Sequence, residues 1–133
     1  MLRKRCAGPL LLVLLTVTGC QLTQSAFSRT VGNAGAVFSA ASTTLSYAHE
    51  GKITSAYAQA SFVNYQSELD GLDQQLPSQQ GAPDKRTVQH LLDLYRPAMQ
   101  AVIQPCLEEL CGWQAQVVAL NRASQAFLMA AGG

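Results

Sequence analysis

Histidine, carboxylate and serine side chains are the groups of this 133-residue chain that are able to do acid–base, metal or nucleophilic chemistry. Its two histidines, His49 and His90, lack the Glu-x-x-His spacing that binds metals inside helical bundles. His90 and Asp93 form a single His-x-x-Asp pair, and we interpret His90 as a polar residue beside the apolar face of a helix. His49 falls in the last turn of a predicted helix, where its side chain suits the helix dipole.

The densest group of carboxylates consists of Glu68, Asp70 and Asp73. Such groups catalyse proton transfer when an apolar cleft raises the pKa of one of them. The sequence around them indicates no cleft, so we expect all three to face solvent. No serine lies in a Gly-x-Ser-x-Gly or Ser-x-x-Lys motif, and no glycine-rich phosphate loop follows a strand pattern. We therefore predict that the protein is not an enzyme.

Composition narrows the functional classes further. Charged residues make up 13% of the chain, hydrophobic residues make up 48%, and the net charge is +1. A disordered polar tail has fewer apolar residues, and a nucleic-acid-binding protein carries a clustered basic face. We therefore predict no nucleic-acid partner, and the length of the chain allows one domain.

The first twenty residues have the order of a secretory signal peptide. Arg3, Lys4 and Arg5 precede an apolar run over 9–17, and small residues follow that run. The run is shorter than the roughly 20 residues that span a bilayer. Residues 1–19 are therefore predicted to be a targeting segment and not a part of the folded domain.

The end of this segment, Val17-Thr18-Gly19-Cys20, resembles the lipobox of bacterial lipoproteins. The resemblance implies that the Cys20 thiol carries a diacylglycerol, that a peptidase cuts between Gly19 and Cys20, and that the new N-terminus is acylated, for example with palmitate. This covalent lipid is the only cofactor that we expect. Position 17 departs mildly from the family, in which Leu is commoner. The alternatives are an ordinary signal peptide cut elsewhere and an uncleaved anchor.

A lipid on Cys20 implies a location. Two or three acyl chains hold a protein firmly on a membrane, whereas one chain binds only marginally. The protein is then expected on the cell membrane or the outer membrane, facing the periplasm or the cell exterior. Gln21 in place of Asp favours the outer membrane of a two-membrane bacterium. The chain from Cys20 to Phe27 reaches roughly 20 Å when extended, so the domain works close to its membrane.

Two cysteines, Cys106 and Cys111, remain after the signal and the lipidated residue are set aside. Outside the cytoplasm, such a pair predicts a disulfide bond. Residues five apart in a straight helix have Cα atoms about 8 Å apart, and a disulfide needs less than about 7 Å. The bond therefore requires a break in the helix, which Pro105 and Gly112 favour. A pair of cysteines without histidine is a poor zinc site, and we predict no metal.

A competing interpretation makes residues 105–111 the start of a helix. Proline is favoured at the first helical position, and the carboxylates of Glu108 and Glu109 suit a helix N-terminus. The two interpretations of this segment exclude each other and both stay open here.

Four helices are the elements that must position these residues, because apolar residues recur at alternating spacings of four and three. We predict helices over about 24–50, 54–76, 84–104 and 112–130. Their apolar faces carry Phe27, Val31, Ala34, Phe38, Ala41, Leu45 and Ala48; Ala58, Phe62, Tyr65, Leu69, Leu72 and Leu76; Val88, Leu92, Tyr95, Met99 and Val102; and Trp113, Val117, Leu120, Ser124 and Phe127. Gly51 is expected to end the first helix, Thr54 or Ser55 to cap the second and Asp84 to cap the third.

The predicted fold is all-α, an antiparallel up-down four-helix bundle in one domain over 20–133. The alternative is a shorter bundle that pairs with a second copy, and the oligomeric state stays open. Tyr65, Tyr95 and Trp113 are expected in the core with their polar atoms at its edge. Tyr47 and Tyr57 lie off the apolar faces and form a candidate aromatic surface spot.

These features favour a non-catalytic lipoprotein that binds an envelope protein or supports an envelope assembly. The alternative is a module that binds a small apolar ligand or a metal within the bundle. Alanines on the apolar faces either leave room for such a ligand or bring the helices closer together. An inhibitor would need a rigid loop, and 106–111 is the only candidate. A pocket lined by Phe38, Phe62 and Tyr65 would favour ligand binding, and a filled core would favour protein interaction.

Overall fold

The computed structural model describes residues 26–78, 85–104 and 111–132. This part of the chain folds into four α-helices and contains no strand, as the spacing of apolar residues predicts. The helices are α1 (Ala26–His49), α2 (Ser55–Gln75), α3 (Lys85–Ala101) and α4 (Trp113–Ala130), and a 3₁₀ turn over Leu76–Ser78 follows α2. The signal peptide, the lipobox with Cys20, Asp84 and the 105–110 segment lie outside the described residues. What the sequence indicates for them stays a prediction.

The end of α1 is fixed by Gly51, as the sequence predicts. This glycine has a φ of 72°, a conformation that costs other residues energy because of their Cβ atom. The amide of Lys52 donates to the carbonyl of Tyr47 at 2.9 Å, and the amide of Gly51 donates to the carbonyl of Ala48 at 3.2 Å. This pair of bonds satisfies carbonyls that the end of a helix leaves without partners.

The start of α2 is capped by Thr54, one of the two residues proposed for this role. Its hydroxyl accepts a hydrogen bond from the amide of Tyr57 at 3.2 Å, and its own backbone is extended. The third helix is shorter than predicted, since it ends at Ala101 and not at 104. Looser turns follow it, with the amide of Val102 3.4 Å from the carbonyl of Met99.

The core lies between the predicted apolar faces. All seven predicted residues of α1 are buried, and so are most of those on α2 and α3. Phe38 is at the centre: its ring stacks on Phe127 with centroids 5.4 Å apart and meets the edge of Tyr95 at 6.4 Å. The face of α4 is looser, because Trp113 and Val117 stay partly exposed.

The helices pack around this core in chain order, with the most extensive contact between α1 and α4. Gly35 makes this contact possible. A Cβ atom at Gly35 would lie 3.0 Å from Cγ of Leu128 and 3.1 Å from the carbonyl oxygen of Ser124. A residue without a Cβ atom at this position therefore allows α4 to approach α1 closely.

None of the four helices, over the ranges given above, is long and apolar enough to span a bilayer.

Candidate functional site

The end of the molecule where α1 finishes and α4 begins carries a stacked pair of rings. The imidazole of His49 and the indole of Trp113 have centroids 3.7 Å apart and planes inclined by 23°. The sequence places His49 in the last turn of α1, but its contact with a residue of α4 follows no local pattern. We therefore assign His49 a packing role, in addition to the favourable position at the helix end.

Two buried polar atoms lie on α4 beside this stack. The indole nitrogen Nε1 of Trp113 and the amide oxygen Oε1 of Gln116 have no hydrogen-bond partner. The expectation that the polar atom of Trp113 reaches the edge of the core is wrong, because the ring lies against His49 with its nitrogen covered. A buried polar atom without a partner lowers stability by about 1–3 kcal/mol.

Two of the three carboxylates on α2 are paired with an arginine. Arg96 of α3 donates from Nη1 to Oδ1 of Asp70 at 2.8 Å and from Nη2 to Oδ2 of Asp73 at 2.9 Å. Glu68 is exposed, as predicted, and Asp70 and Asp73 keep 47% and 32% of their side-chain surface exposed. Their pairing with Arg96 is the feature that the sequence does not predict. Arg96 pairs with both carboxylates and offsets one of their two negative charges, so this group links α2 to α3.

His90 does not form the centre of a site either. Its side chain is exposed, and the carboxylate of Asp93 accepts a hydrogen bond from Nε2 of Gln89 at 3.3 Å. Within residues 26–78, 85–104 and 111–132, no group of three His, Cys, Asp or Glu residues is close enough to hold a metal ion.

The aromatic residues that would line an internal ligand pocket pack against their neighbours. Phe38 and Phe62 are fully buried, and Phe62 meets the ring of Tyr65 edge-on at 6.3 Å. The hydroxyls of Tyr65 and Thr44 share a hydrogen bond of 3.0 Å between α2 and α1. Tyr65 therefore has an apolar ring in the core and a polar atom at its edge, as predicted.

An open groove lies between the start of α2 and the end of α3. It has a volume of about 410 Å³, and apolar and amide side chains line it. These are Ala56, Gln59, Ala60, Val63, Ile103 and Gln104. Val63 is exposed, and Tyr57, near the start of α2 and outside this lining, is 62% exposed. Both lie at the end of the molecule that carries the His49–Trp113 stack, since α2 begins where α1 ends.

Tyr47, the other predicted surface tyrosine, has a charged neighbour. The ammonium of Lys52 lies 4.9 Å above the centre of its ring. The same ammonium is 2.7 Å from the carboxylate of Glu50, which raises the pKa of Lys52 above its ordinary value. Tyr47 and Tyr57 are therefore both exposed, as the sequence predicts. One face of the Tyr47 ring is in contact with the Lys52 ammonium.

A second open groove, of about 350 Å³, lies at the opposite end of the molecule, between the start of α1 and the end of α4. Arg29 and Leu128 are among its lining residues. Leu128 is 46% exposed and Met129, next to it, is 72% exposed. This groove follows from the close approach of the two helices, and no local sequence pattern indicates it.

Cys111 belongs to the described residues and Cys106 does not, so the disulfide bond between them stays a prediction. Comparison with protein-family models, with curated proteins and with solved structures finds no match to this chain. Function therefore has to be inferred from the residues of this chain alone.

Proposed function

We propose that this chain is a cell-envelope lipoprotein, anchored in a membrane by a lipid on Cys20, whose helical domain binds another protein or supports an envelope assembly without catalysing a reaction. The anchor rests on the order of residues in the first twenty positions and on Val17-Thr18-Gly19-Cys20. Two or three acyl chains are sufficient for stable attachment.

In this proposal the four helices run alternately up and down. Two pairs of contacts support this arrangement for α1 and α4. The start of α1 meets the end of α4 at Gly35 and Leu128, and the end of α1 meets the start of α4 at His49 and Trp113. The 50–54 connector is too short for anything but a reversal between α1 and α2.

The observation that carries the choice of protein binding is the exposed Val63 in the groove between α2 and α3, together with the exposed Tyr57 near the start of α2. Exposed apolar surface next to a groove is typical of sites that contact other proteins. The groove lies at the end of the molecule remote from the start of α1. A protein tethered through Cys20 would present this end away from its membrane.

Binding of a small ligand or a metal within the bundle has less support. The residues that would line an internal pocket, Phe38, Phe62 and Tyr65, are in contact with other core rings. The grooves described above are on the surface and none of them is lined by these three residues. We therefore place protein binding ahead of ligand binding.

The anchor is tested by Cys20→Ser in the full chain, followed by separation of membranes from soluble material. We expect the wild-type protein in the membrane fraction, with a mature N-terminus that carries acyl chains in its mass spectrum. The variant is expected to lose the lipid and to leave the membrane fraction or change its location. Unchanged membrane retention of the variant would refute the lipobox interpretation.

The protein-binding surface is tested by crosslinking in intact cells with Val63→Asp. A charge at the groove is expected to remove a specific crosslinked product, because a desolvated carboxylate weakens an apolar contact. The matched control is Val118→Asp on the outside of α4, where the side chain is similarly exposed. Crosslinks that survive in Val63→Asp, or that disappear in both variants, would contradict a site at this groove.

A further inference from the structure

We infer that the end of the molecule formed by the starts of α1 and α3 and the end of α4 lies directly on the membrane that holds the anchor, with its cations at anionic lipid headgroups and its apolar side chains at the lipid surface. This inference rests on the anchor proposed above and adds the orientation of the domain. The surface is called the basal surface below and consists of Arg29, Lys85, Arg86, Leu128 and Met129.

The contacts between helices bring these residues to one end. Arg29 of α1 lines the same groove as Leu128 of α4. Asn33, one turn further along α1, lines a groove with Gly71 and Gln75 near the end of α2. The turn that follows α2 therefore lies at the level of the start of α1.

The start of α3 joins the same end. The ammonium of Lys85 lies 3.4 Å from the carbonyl oxygen of Pro77, to which it donates a hydrogen bond. Lys85 and Arg86 line a groove with Leu76 and Pro77, in the turn that follows α2. The start of α3 is therefore near the end of α2, and so near the start of α1.

The charge of the basal surface suits an anionic partner. Arg29, Lys85 and Arg86 are cationic, and neither the first turn of α1 nor the first turn of α3 contains an acidic residue. Asp84 precedes Lys85 in the sequence and lies outside the described residues. Glu68, an exposed carboxylate, lines the groove that contains Asn33 and Gln75. With Glu68 and Asp84 both counted, three cations against two anions leave a net charge of +1, whereas Asp70 and Asp73 are paired with Arg96.

The apolar side chains of the basal surface are unusually open to solvent. Met129 is the most exposed of the large hydrophobic residues in the described ranges, at 72%, and Leu128 beside it is 46% exposed. Both lie in the last turn of α4. Apolar side chains flanked by cations are the combination that binds the boundary between lipid headgroups and acyl chains.

The short chain between Cys20 and α1 favours a lipid surface over other partners for the basal surface. Only five residues, 21–25, separate Cys20 from Ala26 at the start of α1. An extended chain of this length reaches roughly 20 Å at most. Because the lipid on Cys20 is held in the bilayer, the start of α1 stays near the headgroups, and the basal surface is the nearest part of the domain.

The single tryptophan of the chain makes a direct test possible. The lipidated full chain is incorporated into vesicles of phosphatidylcholine and anionic phosphatidylglycerol, with and without bromine on the acyl chains. Bromine quenches only a tryptophan at the lipid surface. We compare Met129→Trp with the matched control Tyr57→Trp, whose site is also highly exposed but lies at the opposite end, and with the wild type, whose Trp113 lies at that opposite end.

We expect brominated lipid to remove a large part of the emission of Met129→Trp, because the added tryptophan lies at the lipid surface. The wild type and Tyr57→Trp are expected to keep nearly all of theirs. Replacing Arg29, Lys85 and Arg86 by Gln in the Met129→Trp chain should reduce the quenching, whereas Lys52→Gln should leave it unchanged.

The possible results distinguish a failure of the basal contact from a failure of the lipid anchor. Failure of the wild-type chain to float with vesicles would overturn the anchor. Flotation without quenching at position 129, or with equal quenching at 57 and 129, would overturn the basal contact and leave the anchor standing. Salt screens exposed charges and weakens their contacts. If the quenching at position 129 is the same with and without added salt, and the same after the three Gln substitutions, the cations have no role in the contact.

Discussion

Arg96 is the residue that most clearly ties two helices together, because its planar guanidinium meets two carboxylates of α2 at once. Its side chain is 27% exposed, and those of Asp70 and Asp73 are 47% and 32% exposed. Water screens such pairs, so each is worth less than a buried pair would be. Two bonds from one fork still fix the position of α3 against α2.

We expect Arg96→Gln to lower the free energy of unfolding by about 1 kcal/mol, since it leaves two like charges one turn apart on α2. Urea denaturation at low and high salt measures the change, and the difference from wild type should shrink in high salt. The matched control is Arg122→Gln on the exposed face of α4. If both variants lose a similar amount of unfolding free energy, the pairing of Arg96 with α2 does not stabilise the fold more than an unpaired surface arginine does.

Gln116 is the second residue whose replacement has a defined expected effect. Its Oε1 atom is buried without a partner, so Gln116→Leu is expected to raise the free energy of unfolding by about 1 kcal/mol. Gln and Leu have similar helix propensities, so the change in stability does not come from helix propensity. Gln114→Leu, at an exposed position two residues away, is the control and should change little. Lower stability of Gln116→Leu in thermal unfolding would indicate that the oxygen binds a structural water.

At the scale of the helices, Gly35 and Gly71 form a natural comparison. Both lie inside helices, where alanine is more favourable than glycine by about 1 kcal/mol. A Cβ atom at Gly71 would meet nothing within 4 Å, whereas at Gly35 it would meet Leu128 and the backbone of Ser124 at 3.0–3.1 Å. The same substitution should therefore have opposite effects at the two positions.

We expect Gly71→Ala to raise the free energy of unfolding by about 0.5–1 kcal/mol and Gly35→Ala to lower it by about 1 kcal/mol. Chemical denaturation of the two single variants measures both. Equal stabilisation by the two alanines would mean that α4 moves away from α1 at little cost, and that the close approach at Gly35 is not required.

The helices themselves follow from local patterns, and this is why the sequence predicts them. The alternation of four and three places Phe38, Phe62 and Leu92 on the inner faces, and all three are buried. Gly51 and Thr54 mark the boundary between α1 and α2 because turn and cap chemistry is local. The pairings of Arg96 with Asp70 and of His49 with Trp113 join residues that are distant in the chain, so spacing alone does not indicate them.

At the scale of the whole molecule, surface features arise from the assembly of helices and are not visible in the sequence. The groove beside Val63 exists because α2 and α3 meet there, and the basal surface exists because three helix ends meet. The sequence did indicate that Tyr47 and Tyr57 are exposed, since both lie off the apolar spacing. It could not indicate which end of the molecule they occupy relative to Cys20.

The close packing of α1 on α4 also has a consequence for the order of folding. The partners at Gly35 and Leu128 come from the first and the last of the four helices, so their contact closes a long loop and forms late. A chain that emerges from its N-terminus, at a ribosome or through a translocation channel, presents the first three helices before α4 is there to cover Phe38. It would then expose an aromatic core until α4 has emerged, and its yield in the cell would depend on chaperones that bind apolar surface in the meantime.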